Sequence, residues 1–310
     1  MMAITAAMVK QLRETTGVGM MDCKKALAES NGDMDAAIDW LRTKGLSKAA
    51  KKADRIAAEG LVGVFSTGTS GAVVEVNSET DFVARNDIFQ GMVRDIAKLA
   101  DEAKGDLATL LGAKIGDKGL PVEEHVKEMV ATIGENMSVR RAGAVSVENG
   151  VVAEYTHNKV VDGLGKIGVL VGLESEGDKA KLAEFGRQLA MHVAAANPLA
   201  LTPDELDQAA IEKERAIYLE QAKESGKPDN IIEKMVEGRL RKEFFQQVVL
   251  PQQTYVLDGK ASVADAIKTA EKSVGAPVKV TGFVRFALGE GIEKAEEDFA
   301  SEVAAAAAGN

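Results

Sequence analysis

Gly60-Leu61-Val62-Gly63-Val64-Phe65, followed beyond a Gly/Ser/Thr turn by Ala72-Val73-Val74-Glu75-Val76, reads as two β-strands joined as a hairpin. A helix with Phe89, Met92, Val93 and Ile96 at helical spacing comes next, and Arg141 to Val147 offers a third strand. The pattern recurs 90 residues on, where Gly150 opens Val151-Val152-Ala153-Glu154-Tyr155. Ile167-Gly168-Val169-Leu170-Val171 then gives a second strand, Leu182, Phe185, Leu189 and Val193 mark a helix, and Val280 to Ala287 a last strand. Two β-β-α-β units follow, each a helix over one face of an antiparallel sheet, and the fold class is α+β.

Outward from these repeats, the first 45 residues predict three short helices. Thr5 caps the first, with Met8, Val9 and Leu12 apolar and Gly17 as its stop. Met20, Cys23 and Leu27 mark the second, which Asn31-Gly32 ends, and Asp33 caps a third carrying Ala37, Ile38 and Leu41, with Gly45 after it. So small a bundle leaves apolar surface for a partner. Through Arg55 it holds ten basic and seven acidic residues, net +3, against −10 for the whole chain of 310. A Lys- and Ala-rich linker, helical or flexible, runs from Leu46 to Ala58.

The second unit carries an insertion. Thr202-Pro203-Asp204-Glu205 has the form of a capping box opening a charged helix to about Glu224. Ser225-Gly226-Lys227-Pro228 breaks it, and Ile232, Met235, Val236, Leu240 and Phe244 predict a second helix folding back on the first. Such a hairpin is either a docking element or a flap on its own domain. The expected division is 1–55 for the bundle and linker, 56–149 for the first subdomain, 150–291 for the second with its insertion at about 204–279, and 292–310 for a C-terminal module ending in a helix.

Chemistry is sparse. With only 4% aromatic residues and an acidic balance the chain lacks the makings of a nucleic-acid groove. Its one cysteine and three histidines exclude an internal disulfide and argue against a metal site. No apolar run is long enough for a membrane span, no secretory signal opens the chain, and a reduced, cytoplasmic protein is expected. Gly163-Leu164-Gly165-Lys166-Ile167-Gly168 spells a dinucleotide fingerprint but leads into a strand rather than a helix, so its glycines read as hairpin turn residues. Cys23 falls on an apolar helix face, and His192 on the stripe Phe185, Leu189, His192, Ala196 reads as a core histidine. Thr80-Asp81-Phe82-Val83 is open to two readings: an apolar plug beside a charge for a partner's cleft, or a staple under the next helix with Asp81 as turn former.

Thr15-Thr16-Gly17-Val18-Gly19-Met20-Met21-Asp22-Cys23-Lys24-Lys25-Ala26-Leu27, Val76-Asn77 and Thr80-Asp81-Phe82-Val83 resemble the bacterial elongation factor Ts family. Ile133-Gly134-Glu135-Asn136, Met191-His192-Val193-Ala194-Ala195, Lys234 to Arg239 and Val280 to Phe286 extend the resemblance over nearly the whole chain. It implies a guanine nucleotide exchange factor for elongation factor Tu that performs no chemistry and needs no cofactor or metal of its own. The N-terminal bundle would be of ubiquitin-associated (UBA-like) type, with Met20, Met21 and Lys24 as partner contacts. Asp81 and Phe82, within Thr80 to Val83, match an intruding pair that dislocates Mg²⁺ in the partner. Ile167, Gly168 and His192 match further contact positions, and the helical hairpin matches a dimerisation region, which makes a homodimer one outcome. The resemblance assigns no role to Ser78-Glu79. The competing expectation is a helix-binding adaptor without exchange activity.

Overall fold

The computed structural model describes residues 4–16 and 18–293, the side chains of 46–48 excepted. The expected C-terminal helix, within residues 294–310, lies outside the described residues. Thr5 Oγ1 accepts the Met8 N–H at 3.3 Å and opens α1 (Ala6–Thr16). α2 (Met20–Glu29) ends where Asn31 and Gly32 turn into left-handed backbone, and Asp33 Oδ1 accepts the Ala36 N–H at 2.8 Å ahead of α3 (Met34–Ala50). Val9, Leu12, Cys23, Ala26, Leu27, Ala37 and Leu41 close the small core. Gly45 does not stop the third helix. A Cβ there would lie 2.9 Å from the Ala131 Cβ, so this glycine marks a close helix approach inside α3 rather than its end.

β1 (Glu59–Ser66) and β2 (Ser70–Ser78) form the expected hairpin, in register from Glu59 opposite Ser78 to Ser66 opposite Gly71. Asn86 caps α4 (Asp87–Glu102), its Oδ1 accepting the Ile88 and Phe89 N–H groups. α5 (Leu107–Gly112), the short pair β3 (Lys114–Ile115) and β4 (Leu120–Pro121), and α6 (Val122–Ile133) then lead to β5 (Met137–Ser146), which pairs with β2. Phe89, Val93 and Ile96 of α4 are fully buried with Leu61, Val74 and Val76 of the sheet. Burial of a side chain of this size is worth about 1.5–3 kcal/mol over exposure. α6 also receives the bundle, since Ala131 faces Gly45 and Arg42 reaches Glu124 at 2.9 Å.

The second unit repeats the design with β6 (Gly150–His157), β7 (Leu164–Gly165), β8 (Ile167–Glu174) and α7 (Lys179–Ala196), closing on a final strand. Between α7 and that strand lie α8 (Gln208–Lys223), α9 (Asp229–Arg239), a π-helical stretch at Leu240–Phe245, α10 (Gln246–Val248) and α11 (Val263–Val274); the strand itself is β9 (Lys279–Ala287). The three-stranded sheet has the order β6-β8-β9. β7 crosses over to pair with β1, so the first sheet reads β5-β2-β1-β7. The inner faces stack through Val62, Val64 and Val73 on one side and Val152 and Leu170 on the other. Of the fingerprint-like glycines, only Gly163 (φ +74°) is a turn residue. A Cβ on Gly165 would strike Thr156 and the His157 carbonyl, and one on Gly168 would lie 2.7 Å from Val62 Cγ1 and Val64 Cγ2. Those two are packing glycines.

The helical hairpin forms, with Tyr218 and Ala222 of α8 packed on Ile232 and Val236 of α9 and on Leu240. Its start differs from the expectation. Pro203–Glu205 is a single 3₁₀ turn in which Glu205 accepts the Leu201 N–H at 2.8 Å, and Asp207 caps α8 instead. The box pattern closes on the residue ahead of Thr202, which leaves the helix to begin at the next acid.

Candidate functional site

The loop between β2 and α4 is anchored at both ends. The Thr80 N–H and Oγ1 donate to the Glu135 carboxylate at 2.9 and 2.6 Å, and Ser78 Oγ donates to the Thr80 carbonyl at 3.0 Å. Val83 and Ala84 enter the core at 5% and 3% exposure, in a 3₁₀ turn (Val83–Arg85) tied by Gln90 Nε2 to the Ala84 carbonyl. The turn between these anchors leaves Phe82 74% exposed and Asp81 exposed beside it, with no side-chain partner to Asp81 among the described residues. A staple under α4 is therefore excluded for Phe82, and Val83 takes the inward position. A phenyl ring held in water on a fixed turn forgoes about 1.5–3 kcal/mol that a covering surface would recover.

On α2 the buried face is Cys23, Ala26 and Leu27. Met20 (57%), Met21 (77%) and Lys24 stand exposed. Cys23 donates to the Val18 carbonyl at 3.4 Å, and burial pushes its thiol up, against a smaller lowering by Thr16, so the thiolate is disfavoured.

The other candidates lie inside. Ile167 is half-buried at the start of β8, and Gly168 is wedged between the sheets. His192 is fully buried: its Nδ1 accepts the Val256 N–H at 3.3 Å, which leaves Nε2 to carry the proton toward Gln253 Oε1 at 2.9 Å. Burial pushes its pKa down, offset in part by Gln253, and the imidazole stays neutral. His192 thereby fixes a loop on which Val256 (46%) and Leu257 (48%) face solvent, a pair that sequence reasoning missed. Two apolar residues just before Asp258-Gly259 were the available signal. The exposed candidates thus stand on three elements, α2, the loop after β2 and the loop before α11. Among the described residues no three His, Cys, Asp or Glu side chains group as a metal site, and no helix is long and apolar enough to cross a membrane.

Known proteins resemble the chain over its whole length. A family model described as elongation factor TS matches residues 79–290. Elongation factor Ts of Parvibaculum lavamentivorans is 65% identical over 309 residues, covering 100% of both chains. The proteins of the same name from Rhizobium etli (strain CIAT 652) and Bartonella henselae are 61% and 60% identical, the first over 100% of both chains and the second over 99% of this chain and 100% of its own. The span matched by the family model takes in the anchored loop, the three-stranded sheet and the helical hairpin, the relatives match over essentially the full chain, and the chain belongs to the elongation factor Ts family of translation elongation factors.

Proposed function

We propose that this chain is a guanine nucleotide exchange factor that binds elongation factor Tu in its GDP-bound and nucleotide-free forms and speeds GDP release. The observation that carries the reading is Phe82, 74% exposed on a turn anchored from both sides with Asp81 next to it. Phe82 wedges between partner helices near the Mg²⁺ site, and Asp81 disturbs the groups holding the metal, so that Mg²⁺ and the phosphates lose their support. Met20, Met21 and Lys24 dock the bundle on the GTPase domain. Val256 and Leu257 add a further contact, with Ile167, Gly168 and His192 shaping the body beneath it.

No bond is made or broken in this chain, so it is not an enzyme in the chemical sense. Exchange needs only tighter binding to the nucleotide-free partner than to its Mg²⁺·GDP form, and by linkage each ligand weakens the other by the same factor. Every tenfold of that coupling takes about 1.4 kcal/mol, so burial of one phenyl ring at about 1.5–3 kcal/mol supplies a large part of a hundredfold effect. The factor does not choose which nucleotide returns; the GTP and GDP of the cytoplasm, where it is proposed to act, decide that. Residues 1–55 serve docking, 56–149 the wedge, and 150–291 the second contact and the hairpin. Ile217 and Ile231 stand exposed on that hairpin, where a second copy would pair.

Mixing the chain with elongation factor Tu loaded with fluorescent GDP tests this. Concentration-dependent acceleration of GDP loss is expected. Tight binding without acceleration would instead make the chain a helix-binding adaptor, and no effect at all would remove the reading.

A further inference from the structure

The segment just after α6 ties together two parts of the molecule that the exchange reading treats separately. Gly134 (φ +94°) ends α6, its N–H returning to the Val130 carbonyl at 3.0 Å, and its own carbonyl accepts Lys52 Nζ from the linker below the bundle. Glu135 holds Thr80, at the root of the Asp81-Phe82 tip, through two hydrogen bonds. Asn136 faces both ways: its backbone N–H donates to Glu79 Oε1 at 2.5 Å, while its side-chain amide donates to the Ala53 and Arg55 carbonyls at 3.3 and 2.7 Å. Arg55 then pairs with the other oxygen of Glu79 at 3.4 Å, so the linker, the loop root and the end of α6 form one closed ring of contacts.

We propose that Glu135 and Asn136 are positioning residues that clasp the bundle linker to the wedge loop, so that the bundle and Phe82 meet the partner at one preset spacing. The geometry stands by itself; its consequence for exchange rests on the function proposed above. A carboxylate accepting two hydrogen bonds on one residue is a charge-assisted anchor, stronger than neutral contacts. Two contact surfaces held at the right separation make the second contact intramolecular and spare the ordering that a free linker would cost on binding. Glu79 gains a role in the same ring, as the acceptor shared by the linker and the segment after α6.

The test uses the full chain. In Glu135→Ala the Thr80 amide should exchange with solvent about tenfold faster or more, with the α4 amides unchanged, because its acceptor is gone. The same variant should slow maximal GDP release about tenfold, and adding Phe82→Ala should cost less than the product of the two single effects, since both act through one tip. Asn136→Ala, which frees only the linker side, should raise the half-saturating concentration several-fold, on the order of the effective-concentration gain it removes, and keep the maximal rate. Glu135→Gln, which keeps one acceptor and the side-chain volume, should restore part of the Thr80 protection. Unchanged Thr80 exchange, fully multiplicative effects of Glu135 and Phe82, or an Asn136→Ala variant that loses maximal rate would each overturn the clasp. Thr80 protection is read on the free chain and decides the clasp without the partner; a wild-type chain that fails to speed GDP release from elongation factor Tu would overturn the exchange reading and the consequence drawn from it here.

Discussion

In the first β-β-α-β unit the chain spends residues 79–86 passing from the central strand to its helix; in the second it spends 175–178. Both connections end on a helix cap of the same kind, Asn86 for α4 and Asp178 for α7. The short one is closed: Ser175 is buried, and a Cβ on Gly177 would strike Val274. The long one has room for a turn between two anchors and displays Phe82 there. The units also carry a bulge at matching places, with Arg140 the extra residue opposite Glu75-Val76 and Thr281 the extra residue opposite Gly172-Leu173. Equal scaffolds thus differ at two points, the added loop and the residue beside the bulge, and the exposed Phe82 stands on the first.

At the second point the unit with the long loop has a buried acid and its twin has none. Glu75, fully buried, accepts from Arg140, Arg141, Asn77 and the Gly289 N–H, which pins the segment after β9 onto the first sheet. Glu75→Ala takes from two guanidinium groups their buried carboxylate and should cost about 3 kcal/mol of unfolding free energy, the lower end for a broken buried pair because both arginines reach solvent and keep acceptors at Ala287 and Glu290. Denaturant melts would show it as a lower midpoint. The same site sets an acid limit. Burial alone would raise the Glu75 pKa, but the Gly289 N–H, Asn77 and Arg141 together outweigh it and hold it below the ordinary 4.5. A folded-state pKa below the unfolded one means stability that is full above about pH 4.5 and lost as pH falls through the folded value. Melts of Glu75→Gln should therefore flatten over that acid range relative to the wild type.

At the matching register in the second unit, Gly172→Ala places a methyl 2.6 Å from Thr281 Oγ1 and 2.7 Å from Val145 Cγ1. Overpacking of that kind costs about 1–3 kcal/mol, so the twin position should fail by crowding where the first fails by lost charge pairing. Equal tolerance of Ala at both positions would break the comparison. The smallest effect belongs to the bundle: Met21→Ser removes one exposed apolar contact, leaves the melt unchanged and should weaken partner binding by about 1 kcal/mol, a severalfold change by titration.

Much of this was legible in the sequence because it is local. Alternating valines made the hairpin, the Phe89 to Ile96 stripe made α4, and the recurrence at Gly150 exposed the second unit. What escaped depends on distant chain. Gly45 looks the same whether it ends a helix or admits Ala131 against one, and only the packing of α6 on α3 distinguishes them. Thr202 to Glu205 has the letters of a capping box, yet Glu205 turns to the Leu201 N–H. β7, two residues long, earns its strand only by pairing with β1 in the other unit. The site divides the same way: Asp81-Phe82 was open to two readings by composition and was singled out by the family resemblance, whereas the Glu135 anchor and the Val256-Leu257 pair over His192 required contacts across more than fifty residues.

The central claim, that the longer loop is a wedge and not a packing element, is tested most directly by GDP release with Phe82→Ala. At saturating concentration the variant should release fluorescent GDP from elongation factor Tu about a hundredfold more slowly than the wild type, as removal of a dominant contact does, with the same melting temperature. Wild-type release rates, or a melt lowered as a core substitution would lower it, would contradict the account.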